Sequence, residues 1–175
     1  DKKTHKVIRS IIKKIDLPTI IDAEAIRAVA EDKTVIKNKR IVLTPNSEEF
    51  RILTGKVPGV NIEERKKAVK KWAKKLKCVI LLKGHIDVIS DGNKVLLNKT
   101  GSPYMTKGGF GDTLSGICGS LLARGINPLD AAYAAAYING LAGEIVSQKF
   151  GPGVVASDIF DFIPKVILGK IKKVE

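Results

Sequence analysis

At 175 residues the chain is one domain or part of one, long enough to bury roughly two-thirds of its unfolded surface without a disulfide or metal staple. Its 2 cysteines, Cys78 and Cys118, are unclustered, which argues against a disulfide framework or a zinc site and fits a reducing cytoplasm. The net charge of +13 comes from lysines scattered over helix faces rather than gathered with aromatics. It reads as a solvated, heat-adapted surface and argues against a nucleic-acid partner.

The first residues are charged, so no secretory signal is read there. The longest uncharged apolar stretch, Ala131 to Gly143, is too short and too rich in Ala and Gly to span a bilayer. The expectation is a soluble cytoplasmic protein with no membrane contact, whose basic surface attracts a multiply phosphorylated ligand.

In chain order, Val7, Ile8, Ile11, Ile12 and Ile15 recur at helical spacing. Leu17 to Ile21 is a short, largely β-branched run ending at Asp22, a buried strand by length and type. A helix from Ala23 to Ala30 follows, then the strand Arg40 to Leu43, broken by Thr44-Pro45, and a helix starting near Asn46. Ile62, Val69, Trp72, Ala73 and Leu76 mark an amphipathic helix leading into the apolar strand Cys78 to Leu82. Ile86 to Leu97 reads as a hairpin with its turn at Asp91-Gly92-Asn93. Helices are predicted over Gly111 to Arg124, Pro128 to Lys149 and Ser157 to Ile167, the last containing Pro164.

Alternation of helices with fully apolar strands predicts a mostly parallel sheet covered on both faces. Ligands of such sheets bind beyond the carboxyl ends of the strands. Asp22, Thr44 to Glu49, Lys83 to Asp87 and a glycine-rich turn all follow strands and should converge on one edge.

That turn is Met105-Thr106-Lys107-Gly108-Gly109-Phe110-Gly111-Asp112, which opens a helix. Glycines let backbone amides converge on one point, and the helix dipole adds partial positive charge, so Gly108, Gly109, Phe110 and Gly111 make a candidate anion hole. Asp112 is then an acceptor beside a phosphate cradle, as a general base of phosphoryl transfer must be. The plainer reading makes Asp112 an ordinary N-cap. The turn is neither a Walker A loop nor a dinucleotide fingerprint, since no Gly-Lys-Ser/Thr closes it and Leu114 stands where a third glycine belongs.

Asn46 and Glu49 share a face at a helix start and suit an indirect contact with hydrated Mg²⁺, or a capping box, or both. Lys83 to Asp87 follows a strand directly: Gly84 permits close approach and Lys83 meets a phosphate as a point charge, unless the segment is a plain strand-end turn. His85 fits a surface turn. Asn139 lies in a small-residue helix that admits either another helix or a flat base, and it reads as a packing or hydrogen-bonding residue.

Taken together, Ile20 to Ile26, Leu43 to Glu49, Leu82-Lys83-Gly84, the glycine turn through Gly116, Leu121 to Gly125, Ala136 to Glu144 and Ala156-Ser157-Asp158 resemble the ribokinase-like fold. Within it they are most similar to the ADP/ATP-dependent NAD(P)H-hydrate dehydratases. The resemblance implies a three-layer α/β/α architecture, of which residues 1–175 would be the carboxyl-terminal portion of a single domain. It implies a missing amino-terminal part or partner chain, and a homo-oligomer. It also implies that Lys83, Gly84, His85, Ile86, Asp87 and Gly111 contact the adenine nucleotide, and that Asn46 and Asp112 contact the hydrated NADH or NADPH. ADP or ATP, with Mg²⁺, would phosphorylate the hydroxyl on the reduced nicotinamide ring, and phosphate would then be eliminated.

Asn46-Ser47-Glu48-Glu49 stands where that branch has His-Pro-Gly-Glu, and Asn-x-x-Glu is the pattern of the sugar and vitamin kinases of the same fold. Phe110 takes the place of a small residue or Thr in the turn and is expected to narrow the phosphoryl pocket. The alternatives are therefore a hydroxymethylpyrimidine, thiazole or sugar kinase, and a nucleotide-binding fragment without chemistry of its own.

Overall fold

A computed structural model describes residues 1–169. Helix α1 (Lys2–Lys14) precedes β1 (Thr19–Ile21) and α2 (Glu24–Glu31). After a 3-10 turn at Lys33–Ile36 come β2 (Ile41–Leu43), α3 (Ser47–Thr54) and α4 (Ile62–Leu76). Strands β3 (Val79–Leu82), β4 (Asp87–Ser90) and β5 (Val95–Asn98) lead to α5 (Phe110–Ala123), α6 (Pro128–Phe150) and α7 (Ile163–Ile167).

The strands form one five-stranded sheet in the order β1-β2-β3-β4-β5. β1, β2 and β3 run parallel, with Thr19 opposite Ile41 and Val42 opposite Val79. β3–β4 and β4–β5 are antiparallel, so the sheet is mixed rather than mostly parallel. The reason is connection length: parallel neighbours need a crossover of about a dozen residues, and only Lys83 to Ile86 separate β3 from β4. The second turn is tied by Asp91, whose Oδ1 accepts the amides of Asn93 and Lys94 at 2.8 Å.

Alternation along the strands divides the core. Ile21, Ile41, Leu43, Ile80, Leu82 and Val88 face α1 to α4, packing on Ile12, Ile26, Phe50, Leu53 and Val69. Val42, Val79, Leu81 and Ile89 face α5 and α6, packing on Leu114, Cys118, Leu122 and the alanines 131, 132, 135 and 136. Each fully buried Ile, Leu or Phe stabilises the layers by about 1.5–3 kcal/mol. The architecture is thus the expected α/β/α sandwich. A third cluster joins the start of α5 to the end of α6 and to α7 through Phe110, Leu141, Val146, Val154, Ile159 and Val166.

The helix expected over Ser157 to Ile167 is broken. A 3-10 turn at Ala156–Ile159 ends first, and Pro164 sits in the opening turn of α7. Proline lacks the N–H that a helix interior needs but is tolerated where that N–H has no partner, so it restarts the helix rather than continuing it. No described helix is long and apolar enough to cross a membrane.

Candidate functional site

The strand ends converge as their order requires. Lys83, just past β3, places its Nζ 2.8 Å from Oδ1 of Asp22, which closes β1, and 3.8 Å from Oε2 of Glu49. Ser115 of α5 donates its hydroxyl to the other Asp22 oxygen at 3.1 Å. A side chain at Gly111 would lie 3.5 Å from Asp22 Oδ2 and 3.6 Å from Lys83 Nζ. The strand-end residues and the helix start therefore form one charged corner.

Gly109 is the N-cap of α5, at φ +95°, with no side-chain cap bond. A side chain there would be strained, and its Cβ would fall 2.7 Å from Ala156 Cβ. The first intrahelical bond runs from Thr113 N to Gly109 O at 3.0 Å. The amides of Phe110, Gly111 and Asp112 thus lack helical acceptors and suit an anion. Asp112 is the third residue of the helix and is exposed, so the N-cap reading is corrected. Phe110 is 4 % exposed and belongs to the third core cluster. It anchors the helix start in apolar packing and also lines the cleft above the charged corner.

Asn46 and Glu49 form a reciprocal capping box: Asn46 Oδ1 accepts from Glu49 N at 2.9 Å, and Glu49 Oε2 accepts from Asn46 N at 2.8 Å. Among the described residues no group of three or more His, Cys, Asp or Glu side chains is arranged to hold a metal.

Asp87 ties the turn after β3. Its Oδ1 accepts from Gly84 N and its Oδ2 from Asn98 Nδ2, both at 3.0 Å. Burial pushes its carboxyl above the ordinary value, against the pull of Asn98, Gly84, Arg65 and Lys83. Arg65 of α4 braces the same turn from below, donating to Lys83 O at 3.2 Å and Ser47 Oγ at 3.3 Å, and desolvation lowers its pKa. The buried thiols of Cys78 and Cys118 are both pushed up to about 12, so neither is a nucleophile here.

Above this corner lies a cleft of about 570 Å³. Of the sequence-nominated residues it brings together Asn46, Lys83, Gly84, His85, Asp87, Phe110 and Gly111. Asp112 is turned away from it and lines an apolar groove of about 480 Å³ with Ile117, Phe160, Ile163 and Ile167. Ile86, Glu49, Gly108 and Gly109 line neither cavity. Asn46 therefore sits with the residues expected to hold nucleotide, not beside Asp112.

Sequence reasoning placed Met105 to Lys107 in the glycine turn but missed the segment Thr100 to Pro103 as a wall of the cleft. Its signal was the small-residue stripe on α6. A Cβ at Gly140 would fall 2.2 Å from Thr100 Oγ1 and 2.7 Å from its carbonyl carbon. What approaches that helix is this loop, fastened where Gly101 N donates to Glu144 Oε1 at 2.9 Å. Lys107 continues the fastening, donating to the carbonyls of Pro152 and Val154. Asn139 makes hydrogen bonds, as read from sequence: it accepts from Thr113 Oγ1 at 2.7 Å and donates to Phe110 O at 3.4 Å. Asp22, expected from sequence at this edge, and Ser115, which was not nominated, both belong to the charged corner.

A family model described as NAD(P)H-hydrate dehydratase matches residues 1–165. The ADP-dependent (S)-NAD(P)H-hydrate dehydratase of Cenarchaeum symbiosum is 43% identical over 157 residues, covering 90% of this chain and 55% of that protein. The bifunctional NAD(P)H-hydrate repair enzyme Nnr of Pyrobaculum aerophilum is 40% identical over 169 residues, covering 95% of this chain and 33% of that protein. Among solved structures, the ADP/ATP-dependent NAD(P)H-hydrate dehydratase of Bacillus subtilis, co-crystallised with ATP/Mg²⁺ and soaked with CoA, superposes with TM-score 0.83 and 29% identity. That match covers 97% of this chain and 62% of that one. The chain thus spans between a third and about half the length of these curated relatives.

Proposed function

Because the chain belongs to the NAD(P)H-hydrate dehydratase family, we propose that the protein carrying it restores NADH or NADPH from their hydrates at the expense of ADP or ATP. The observation that carries this reading is the double exposure of one helical turn. Phe110 and Gly111 face the cleft while Asp112, the next residue, faces the groove. A phosphoryl donor in the cleft and an acceptor hydroxyl in the groove would meet across the unpaired amides between them.

On this reading the nucleotide lies along Lys83 to Asp87 and Gly111, with the Lys83 ammonium near its phosphates. Asp112 takes the proton of the ring hydroxyl as its oxygen bonds to phosphorus, and the shortened nucleotide leaves. Such a base contributes typically ~10²–10⁴ in rate. The amides at the start of α5 stabilise the transferring group, each worth on the order of 3 kcal/mol. In the second step the ring nitrogen pushes electrons toward the phosphate-bearing carbon, the C–O bond breaks, a proton leaves the neighbouring carbon, and inorganic phosphate departs.

Mg²⁺ bound with the nucleotide would neutralise phosphate charge. The residues present fit an indirect role for it, because the capping box already engages Asn46 Oδ1 and Glu49 Oε2. Asn46, at the cleft wall, is the residue placed to meet a hydrated ion.

The second reading is a vitamin kinase of the same fold, favoured by Asn46-x-x-Glu49. The test incubates hydrated NADH or NADPH with ADP or ATP and the protein at the length its gene encodes. A dehydratase restores the absorbance of the dihydronicotinamide ring, and a kinase leaves the hydrate unchanged.

A further inference from the structure

Between the two cavities stands a part-buried polar contact. Asn139 lines the cleft from α6, Thr113 lines the groove from α5, and the Thr113 hydroxyl lies 2.7 Å from Asn139 Oδ1. Asn139 is 7 % exposed. Its Nδ2 donates to Phe110 O at 3.4 Å, and Thr113 Oγ1 lies 2.9 Å from the same oxygen. The buried residues Phe110, Leu114, Ala136 and Ile138, which belong to the apolar clusters joining α5 and α6, are apolar or small. A lone amide in such surroundings is held by the partners it has, and leaving one of them unpaired is costly.

The contact also has a consequence for geometry. Thr113 follows Asp112 directly, and Phe110 N is the first free amide of the turn. The turn begins at a glycine with no side-chain cap, and the apolar packing of Phe110 anchors it without the directionality a hydrogen bond supplies. The Asn139 amide, gripping both Phe110 O and the Thr113 hydroxyl, fixes the opening turn against the long, rigid α6.

We propose that Asn139 is a positioning residue that acts through Thr113 and Phe110. It sets the relation between the amides facing the nucleotide and the carboxylate facing the acceptor. This rests on the proposed two-sided reaction, but the physical claim, that Asn139 holds the turn, stands apart from which substrate is used. Displacing reacting groups by about 1 Å costs on the order of 10²-fold in rate.

Two measurements on the whole protein test it. Amide hydrogen exchange at Thr113 and Leu114, where the helical bonds of α5 begin, should quicken roughly five- to tenfold in Asn139→Ala and in Thr113→Val, the scale of one lost hydrogen bond. The double variant should be no faster than either single one, and Thr113→Ser, which keeps the hydroxyl, should match wild type. In turnover, Asn139→Ala should lower kcat about 10- to 100-fold while the KM for nucleotide stays within about twofold. Unchanged exchange in both single variants, or additive effects in the double one, would overturn the proposal. So would a loss expressed in nucleotide KM alone, which would make Asn139 a nucleotide contact. If wild type fails to repair the hydrate, the functional reading falls while the exchange result still decides the role of Asn139.

Discussion

The Lys83 ammonium is paired with the Asp22 carboxylate at 2.8 Å, 61 residues away in sequence, directly beneath the position a side chain at Gly111 would take. The pair is partly shielded, and Asp22 is further satisfied by the Ser115 hydroxyl. A cation held this way has a fixed position, so a phosphate entering the cleft meets it without reorganisation.

Lys83→Met should therefore weaken nucleotide binding and also destabilise the fold by about 2–3 kcal/mol, because the Asp22 charge loses its partner in a partly buried place. Adding Asp22→Asn should recover most of the stability but not the affinity. Urea unfolding and calorimetry with ADP separate the two effects. Restored binding in the double variant would show that Lys83 serves the fold alone.

Asp112→Asn should lower turnover by ~10²–10⁴ and leave nucleotide affinity nearly intact. The carboxylate is exposed, caps no helix end and lines only the groove, so the melting temperature should move little. A collapse of the melt with this variant would return Asp112 to a structural role.

Glycine positions that look alike in the sequence should behave differently. At Gly140 a methyl group would overlap the Thr100 backbone, so Gly140→Ala should cost about 1–3 kcal/mol and open the cleft wall. At Gly119, inside α5, a Cβ would meet only Ile20 Cγ2 at 3.8 Å, and Gly119→Ala should stabilise by about 0.5–1 kcal/mol. Thermal unfolding of the two variants gives the comparison, and equal shifts would contradict the packing argued for Thr100.

His5 lies between α1 and α2 with Nδ1 and Nε2 each 2.5 Å from a carboxylate oxygen, of Glu31 and Glu24 respectively. Arg9 also meets Glu31, and Arg27 lies near Glu24. Hydrogen bonds to Glu24 and Glu31 raise the His5 pKa above 6.5, and the bond to His5 lowers both glutamates below 4.5. The histidine contribution is complete below 6.5 and is lost as pH rises through the raised value. The glutamate contribution is complete above 4.5 and is lost as pH falls through the depressed values. Between these limits the clamp holds fully. Exchange of α1 amides should quicken as pH is raised from 6 to 9 beyond the intrinsic chemical rate. His5→Gln should remove that excess, and a variant that kept it would exclude the clamp.

The parallel half of the sheet, the capping box and the converging strand ends were legible in the sequence because each rests on local pattern: apolar runs, Asn46 with Glu49, polar residues after strands. The separation of Asp112 from the other site residues was not. It depends on which side of α5 each residue of one turn projects, and a helix-start motif states no orientation against a sheet. The cleft wall at Thr100 was hidden for a related reason. Its cause lies in Gly140, forty residues downstream, whose missing side chain makes room for a loop. The fate of Phe110 turned on α6 and α7, which supply the apolar pocket its ring occupies. Pro164 was visible, but its tolerance in an opening turn made the break one of two choices.

The most direct test of the central claim follows the phosphoryl group. The protein at its encoded length is given ATP labelled at the γ-phosphate, with hydrated NADH and hydroxyethylthiazole supplied together. The account predicts that label accumulates as inorganic phosphate in step with recovered dihydronicotinamide absorbance, and that both stop in Asp112→Asn. Label retained on a phosphorylated vitamin, with the hydrate untouched, would contradict it.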